Sequence, residues 1–401
     1  MKKIITFMLV CIATGQLFSQ QLDSTWTFNG NNGYLNSASR LLNTNGNLVI
    51  GGYAEAHYNQ DIDTTKRYNG KLDVHRVVML LGYNFSSKTQ FISEIEYEHV
   101  KEVYVEQAFI QHKLNPYLNF RGGLMLIPMG IVNEYHEPTT FNGVERPIID
   151  NKIAPTTWRE MGMGFAGALP SLNLKYQAYL VNGFNGYDGK QILNGSDGLR
   201  KGRQLGAESY ISAPNYTGKV EYYGIRGLNL GLSGYYGNSQ SKAYNGIVKG
   251  DSSSIKSADS TSVGIAMVGV DARYRLKGLQ VRGQFYYTSL SNTEQYNNYK
   301  GKSDLGSAMY GYYVEVGYNV FQGDRSIKTE LIPFVRYEQY DTQYKMIDGL
   351  TKKPTNEKGI ITTGLSYKLT SGSVLKVDYQ FALAGDGTYT RTINAGFGVT
   401  F

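Results

Sequence analysis

The sequence has 401 residues, a formal net charge of +7 and a mean hydropathy of −0.35. Proline is scarce at 9 residues, and tyrosine supplies most of the aromatic content, with 34 Tyr against 16 Phe and 2 Trp. The low proline count and the long regular runs exclude a collagen-like or disordered chain. Beyond the first 15 residues, no segment approaches the ~18 consecutive apolar residues that a membrane-spanning helix needs. The sequence therefore argues against a helical membrane protein.

The first residues, 1–19, have the pattern of a secretory signal peptide. Lys2 and Lys3 are basic, residues 4–13 are apolar but too few to span a bilayer, and Ser19 is a small residue before a plausible cleavage site. We expect residues 20–46, rich in Asn, Gly and Ser, to form a periplasmic leader, and residues 47–401 to form the folded domain.

The single cysteine, Cys11, lies inside this predicted signal peptide. A lipoprotein anchor at Cys11 is an alternative, but Val10 is not the small residue expected before such a cysteine. Removal of the signal peptide leaves no cysteine, which excludes disulfides and thiol catalysis in the mature chain. It also leaves 38 basic and 33 acidic residues without a polybasic run, so we expect no nucleic-acid partner.

Alternation of apolar and polar residues with period two continues along the mature chain and predicts strands rather than helices. In the last ten residues, Ile393, Ala395, Phe397, Val399 and Phe401 share one face, and small or polar residues share the other. Such runs predict sixteen strands, at 48–58, 73–85, 89–99, 103–114, 117–127, 159–169, 172–182, 217–225, 228–237, 263–277, 279–290, 308–321, 327–339, 358–369, 374–384 and 392–401.

Connections after even-numbered strands are short, and those after odd-numbered strands are mostly long. Two rims that differ in this way, with strands of about 9–13 residues, indicate a transmembrane antiparallel β-barrel with short periplasmic turns and long extracellular loops. A soluble β-sandwich or β-helix is the alternative, but neither requires such segregation. Tyrosines near strand ends fit interfacial girdles of a barrel; they are Tyr53, Tyr58, Tyr83, Tyr97, Tyr236, Tyr287, Tyr312 and Tyr318.

A sixteen-stranded barrel has a lumen too wide for wall side chains to fill, so its inner face is polar. The polar face of each strand predicts eleven inward acidic and eleven inward basic residues. The acidic set is Glu55, Glu94, Glu96, Glu98, Glu106, Glu221, Asp271, Glu315, Glu330, Glu338 and Asp378. The basic set is Arg76, Arg121, Lys175, Lys219, Arg273, Arg275, Arg282, Lys328, Arg336, Lys368 and Lys376.

Two inward patches stand out. Glu94, Glu96 and Glu98 form an acidic ladder on one strand, and Arg273, Arg275 and Arg282 form a basic patch on a hairpin. Opposed walls of this kind would set a transverse field across a pore. The alternative is that the charges pair and hold the wall rigid, and the sequence leaves both open.

The long loop 128–158 is punctuated by four prolines, and loops of about thirty residues are usually functional. We expect it to fold into the lumen and narrow it, although an outward surface loop is the alternative. The predicted constriction consists of Glu134, Glu137, Glu145 and Arg146, facing Arg121 and the acidic ladder.

Several segments resemble the bacterial porin family that includes the phosphate-selective porins O and P, in its Bacteroidetes-type form. They are TQFISEIEYEH at 89–99, VYVEQAFI at 103–110, LNFRGGLMLIPMGIVNEYHEP at 118–138, FNGVERP at 141–147 and PTTWREMGMGFAG at 155–167. The resemblance implies a sixteen-stranded barrel in the outer membrane of a Gram-negative cell, a constricting loop, homotrimers and passive diffusion of small hydrophilic solutes. It also implies contact with lipid and lipopolysaccharide. The terminal Phe401 resembles the signal read by outer-membrane assembly machinery.

This sequence departs from phosphate-selective members at the constriction. Loop 128–158 carries Arg146 and Lys152 against an acidic majority, so phosphate specificity is not expected to transfer. The lumen as a whole is balanced in charge, which predicts weak selectivity of unknown sign.

Catalytic patterns are missing from the sequence. The five histidines form no HExxH pair and no GxSxG elbow occurs. His136 beside Glu137 is the best candidate for catalysis, and it is a weak one. We therefore expect no enzyme, no cofactor and no metal site, and we predict an outer-membrane porin. A closed or plugged barrel acting as an adhesin, receptor or scaffold is the alternative.

Overall fold

The computed structural model describes residues 28–29, 33–34, 36–42, 47–300, 303–324 and 326–401. The predicted signal peptide, 1–19, and most of the predicted leader lie outside this part of the chain. Within it, no helix is both long enough and apolar enough to cross a bilayer.

Sixteen antiparallel strands close into one barrel, with each strand paired to its neighbours in sequence and the last paired to the first. The first eight are β1 Leu48–Ile62, β2 Lys71–Asn84, β3 Thr89–Glu98, β4 Glu102–Asn115, β5 Leu118–Leu126, β6 Arg159–Leu169, β7 Leu174–Val181 and β8 Asn215–Ile225. The others are β9 Leu228–Asn238, β10 Gly264–Leu276, β11 Leu279–Ser291, β12 Ala308–Tyr318, β13 Glu330–Lys345, β14 Glu357–Thr370, β15 Ser373–Ala384 and β16 Tyr389–Thr400.

All sixteen predicted strands are confirmed, and so is the closed antiparallel barrel. The largest difference in bounds is in β13, which begins at Glu330 and runs on to Lys345. Lys328 was therefore wrongly predicted to face inward from a strand, because it lies exposed in the turn that precedes β13. Connections after even-numbered strands are short and lie at one end of the barrel, which we call the short-turn rim. Connections after odd-numbered strands, most of them long, lie at the other end, the long-loop rim.

Aliphatic side chains cover the outer wall. Along β10 and β12, for example, Val268, Val270, Val314 and Val316 are exposed while their neighbours in sequence are buried in the lumen. Apolar side chains exposed around a closed barrel form the surface that acyl chains cover in a membrane-spanning barrel. The strands are therefore the membrane-spanning segments of the protein.

The predicted aromatic girdle is correct at several positions and wrong at one. Tyr83, Tyr97, Tyr236 and Tyr318 are exposed on the outer wall. Tyr53 is fully buried on the inner side, because it shares the face of β1 that carries Glu55 and His57.

Helix α1, Ser37–Leu42, lies inside the barrel near the short-turn rim. Leu41 is buried in one apolar cluster with Val78, Leu80 and Ile92 from the inner faces of β2 and β3. The Leu42 carbonyl accepts a hydrogen bond of 2.9 Å from the Gln90 side chain. This apolar inner surface explains why β2 alternates so poorly in the sequence.

The remaining elements lie in loops. Helix α2, Ile149–Lys152, belongs to loop 128–158, and helices α3, Ser252–Asp259, and α4, Thr293–Asn298, lie at the long-loop rim. Short paired strands are Phe28–Asn29 with Gly33–Tyr34, and Asn185–Tyr187 with Gln240–Ser241. Single 3-10 turns are Pro170–Leu172, Arg200–Gly202, Lys242–Tyr244 and Pro354–Asn356.

Candidate functional site

Loop 128–158 lies within the barrel, and most of its residues are buried. Its carbonyls and N–H groups form little regular structure, so they need partners from the wall. At its start Gly130 adopts a φ of 68°, and a Cβ there would collide with the Tyr286 hydroxyl of β11. The chain therefore reverses into the lumen at a position that suits only glycine.

Cationic side chains of five strands donate hydrogen bonds to backbone carbonyls of this loop. The pairs are Lys219 to Gly130 at 2.6 Å, Lys368 to Thr139 at 3.0 Å, Arg282 to Thr140 at 2.7 Å, Lys376 to Gly143 at 2.9 Å and Arg336 to Glu145 at 3.2 Å. These strands lie on different sides of the barrel, so the wall holds the loop from several directions.

Acceptors of the wall bind the N–H groups of the same loop. Asp378 accepts from the Val144 N–H at 2.6 Å, and Glu338 accepts from the Ile148 N–H at 2.6 Å. Seven of the twenty-two inward charges predicted from the sequence thus bind the backbone of loop 128–158.

The acidic ladder does lie on one inner face of β3. Glu94 and Glu96 are buried, and Glu98 is partly exposed. Arg76 of β2 bridges Glu96 at 3.0 Å and Glu55 at 2.8 Å, and Arg146 of the loop also reaches Glu55, at 3.2 Å.

His136 of the loop is inserted between two buried carboxylates. Its Nε2 atom lies 3.4 Å from Glu94 Oε1 and 3.2 Å from Glu106 Oε2. The Tyr53 hydroxyl donates to Glu94 at 2.9 Å and also lies 3.3 Å from Glu106 Oε2. Burial alone would lower the pKa of His136, but Glu106 and Glu94 raise it to about 10. His136 thus clamps the loop to β3 and β4.

The basic patch is likewise paired. Arg273 bridges Glu221 at 2.8 Å, Arg275 bridges Glu330 at 2.8 Å, and Arg282 bridges Glu315 at 3.1 Å. Of the two alternatives that the sequence left open, the geometry favours charge pairing over two walls of opposite, uncompensated charge.

The predicted constriction residues are dispersed rather than gathered. Glu134 accepts from Lys219 at 3.0 Å and from Gln177 at 2.6 Å. Glu145 lies 3.2 Å from His57 Nδ1, and Glu137 is buried within the loop. Arg121 donates to Gln111 and to the Tyr179 hydroxyl on the barrel wall.

Arg121 and Glu134 line one cavity of about 490 Å³ between the loop and the inner face of strands β4 to β8. The cavity reaches the short-turn rim at Ser87, Pro116 and Pro170. Its charged lining residues are four basic and two acidic ones: Lys113, Arg121, Lys175, Lys219, Glu134 and Glu221.

Near the long-loop rim, apolar and aromatic side chains pack together inside the lumen. Trp158 is fully buried, and its ring stacks on Phe184 with centroids 4.4 Å apart and contacts Tyr235 at 4.7 Å. Phe184 belongs to the next long connection, 182–214, whose Arg203 donates to the Thr157 hydroxyl at 2.8 Å. The two connections therefore pack as one body in this half of the lumen.

Sequence reasoning missed a group of histidines at the long-loop end of β1 to β3. His57 stacks on His75 with centroids 4.7 Å apart, and Asp73 lies 3.5 Å from His75 and 2.6 Å from His99. Pairing of β1 with β2 brings them together, because His57 lies opposite Asp73. No local motif marks these histidines. Only the pairing register of β1 with β2 could have indicated that they lie together.

No family model matches the sequence. An uncharacterized protein of Aquifex aeolicus (strain VF5) is 31% identical over 365 residues, which cover 86% of this chain and 77% of that protein. The chain belongs to the same family as this Aquifex protein.

Solved structures with the same fold are porins and outer-membrane proteins. OmpF of Salmonella typhi has a TM-score of 0.57 and 15% identity, over 88% of this chain and 97% of that one. An anion-selective porin from Comamonas acidovorans has a TM-score of 0.55 and 11% identity, over 88% and 99%. The trimer form of OmpT from Vibrio cholerae has a TM-score of 0.52 and 12% identity, over 88% and 99%. These likenesses establish a porin-type barrel fold.

Replacement of Gly130 by alanine should release the start of the loop from the wall. The left-handed backbone and the clash with Tyr286 together should weaken docking by more than about 1 kcal/mol. Fluorescence of Trp158 reports the change in a Trp26→Phe background, and its emission should shift to longer wavelength. Gly189→Ala is the matched control, since Gly189 also has a positive φ, 75°, but has nothing within 4 Å of a new Cβ. An unchanged Trp158 spectrum in Gly130→Ala would contradict this role.

Asp150 should make docking of the loop depend on pH. Burial raises its pKa to about 7, against an ordinary value near ~4. The docked loop therefore holds an extra proton between these values, so its stability is greatest at low pH and falls as the pH rises toward 7. Asp150→Asn should remove this loss and stabilise the docked loop at pH 8 by on the order of 2–4 kcal/mol. Denaturant unfolding followed by Trp158 fluorescence at pH 4.5 and pH 8 measures it. If the free energy of unfolding changed equally with pH in the wild-type protein and in Asp150→Asn, the role of Asp150 would be refuted.

Proposed function

We propose that the protein is an outer-membrane channel for passive diffusion of small hydrophilic solutes or ions, with loop 128–158 as its constriction. The observation that carries this proposal is a closed porin-type barrel whose inner face is charged and holds an irregular loop through hydrogen bonds. A membrane channel needs a polar path inside and an apolar wall outside. The charged side chains that line the cavity and the exposed aliphatic side chains of the strands support both requirements. No specific observation favours an adhesin, receptor or scaffold.

The route through the channel should run on one side of the loop. The cavity bounded by Arg121, Lys175 and Glu134 reaches the short-turn rim at Ser87, Pro116 and Pro170. Passage then requires space between the loop and the wall of β4 to β8, so fluctuations of loop docking should control conductance. We therefore expect small, intermittent current steps rather than a large steady conductance.

The charge on this route favours weak anion preference. The cavity lining carries four basic side chains, Lys113, Arg121, Lys175 and Lys219, against two acidic ones, Glu134 and Glu221. A ring of fixed charge attracts ions of the opposite sign. Phosphate specificity is not part of this proposal, because five inward cations of the wall are engaged by carbonyls of loop 128–158.

Single-channel recording in a salt gradient tests the function and its selectivity. The wild-type protein should pass current with a reversal potential that indicates anions, and Arg121→Gln with Lys175→Gln should move it toward cations. Lys242→Gln is the control, since Lys242 is exposed at the long-loop rim and paired with Asp188. A folded protein that never conducts would overturn the proposal in favour of a plugged barrel.

A second test removes negative charge from the loop instead of positive charge from the cavity lining. Glu134→Gln, Glu137→Gln and Glu145→Gln together should shift permeation further toward anions, since each removes a negative charge from the loop. Most of the shift should come from Glu134, the member of this set that lines the cavity. An unchanged reversal potential in the triple variant would remove these residues from the conduction path.

We also propose that the protein forms homotrimers in contact with lipid and lipopolysaccharide. The trimer form recorded for OmpT of Vibrio cholerae supports this assembly for a barrel of the same fold. Phe401 supports recognition by outer-membrane assembly machinery, because its side chain is exposed at the end of the closing strand.

A further inference from the structure

The clamp between loop 128–158 and the wall has the composition of a metal site. His136, Glu94 and Glu106 offer one ligand atom each, and these three atoms lie within 4.8 Å of one another. They come from the loop, β3 and β4, so they converge only when the loop is docked. We propose that His136, Glu94 and Glu106 bind a divalent first-row transition-metal cation of the zinc type, which ties the loop to the barrel wall.

The spacing of the ligand atoms fits such a cation. Four ligands at about 2.0–2.2 Å from a tetrahedral ion lie about 3.3–3.6 Å from each other. His136 Nε2 lies 3.4 Å from Glu94 Oε1 and 3.2 Å from Glu106 Oε2. The Tyr53 hydroxyl lies beside the same ligand atoms, 2.9 Å from Glu94 Oε1 and 3.3 Å from Glu106 Oε2. One imidazole and two carboxylates are ligands that Zn²⁺, Fe²⁺ and Mn²⁺ accept.

The surrounding contacts orient the ligands as they do in known metal sites. His136 Nδ1 lies 3.1 Å from the Asn133 carbonyl, which can only accept, so Nδ1 carries a ring proton and Nε2 is the nitrogen that faces the two carboxylates. Glu94 keeps its second oxygen on the Gln107 amide at 2.6 Å. Among the described residues Glu106 Oε1 has no hydrogen-bond partner, although it is buried, so a further ligand oxygen is available.

The charge around the site calls for a cation. Glu94 and Glu106 are both buried, and Glu96 and Glu55 lie nearby and are engaged by Arg76. Buried carboxylates are paired with cations or coordinate metals, and a divalent cation between Glu94 and Glu106 would provide such a partner.

The other histidine cluster, Asp73, His75 and His99, is less suited to bind metal. Arg76 lies 3.1 Å from His75 Nε2, and because arginine only donates, the His75 proton must sit on Nδ1. That Nδ1 atom is the one that faces Asp73, at 3.5 Å. The cluster is also partly exposed, so it serves as an internal comparison for binding at a surface.

Zinc binding by the full-length refolded protein, without an affinity tag, tests the proposal. Protein stripped with a chelator should take up one equivalent of Zn²⁺, measured by equilibrium dialysis and elemental analysis. His136→Gln and Glu106→Gln should each weaken binding at least about tenfold. The matched control, His75→Gln with His99→Gln, should retain the full equivalent.

Retention of one Zn²⁺ in both His136→Gln and Glu106→Gln, or its loss only in the control, would overturn the assignment. Co²⁺ added to the wild-type protein gives a second readout that needs no variant: visible absorption bands of a four-coordinate nitrogen–oxygen site are expected. If no Zn²⁺ binds and no such bands appear, the clamp is an imidazolium between two carboxylates and the proposal fails. Neither readout involves conductance, so the outcome is independent of the proposed channel function.

Discussion

An irregular segment enclosed in a barrel must satisfy its own backbone groups, and this requirement governs the inner wall of the protein. A buried, unpaired N–H or carbonyl costs about as much as a lost hydrogen bond. Loop 128–158 has few internal partners, so the strands provide them: lysine and arginine side chains bind its carbonyls, and carboxylates bind its N–H groups. Many of the inward charges therefore stabilise the docked loop, and fewer are left to line an open passage.

The same requirement explains features that look unrelated in the sequence. Small residues on the inner wall leave room for the loop: a Cβ on Gly398 would collide with Pro138, and one on Gly311 would crowd Ile153 and Ile149. Apolar inward positions cover the packed parts of the lumen, as Leu80 does against helix α1. Apolar packing thus fills part of the lumen, at helix α1 and around Trp158, and charged side chains surround the docked loop and line the cavity of about 490 Å³.

Much of the fold could be predicted from the sequence because membrane-spanning strands alternate with period two. Sixteen strands and their two kinds of connection follow from that pattern, and the barrel closes as expected. The inward direction of Glu94, Glu96 and Arg76 follows as well. Tyr53 was misassigned, since an aromatic residue on a strand fits a lipid-facing girdle equally well until its face is known.

The partners of the site residues could not be predicted. Lys219 was expected to line a pore, but whether it binds solute, a wall carboxylate or a loop carbonyl depends on how the loop is folded in three dimensions. The clamp of His136 on Glu94 and Glu106 joins residues separated by 42 positions or fewer on three elements, with no local motif. The bulge near Glu55 and Arg76, which shifts the β1–β2 register beside the histidines, also has no sequence signal.

The central claim is that loop 128–158 is docked across the lumen in the membrane-embedded protein. Thr139 of the loop and Thr400 at the end of β16 place their hydroxyl oxygens 3.0 Å apart, which brings the two side chains within reach of a disulfide. Disulfide formation by Thr139→Cys with Thr400→Cys, in a Cys11→Ser background and in native outer membranes, tests docking directly. The account predicts rapid, nearly complete cross-linking, detected by mass spectrometry of the peptides that contain the two sites. Free thiols at both positions under oxidising conditions, in a correctly folded barrel, would contradict it.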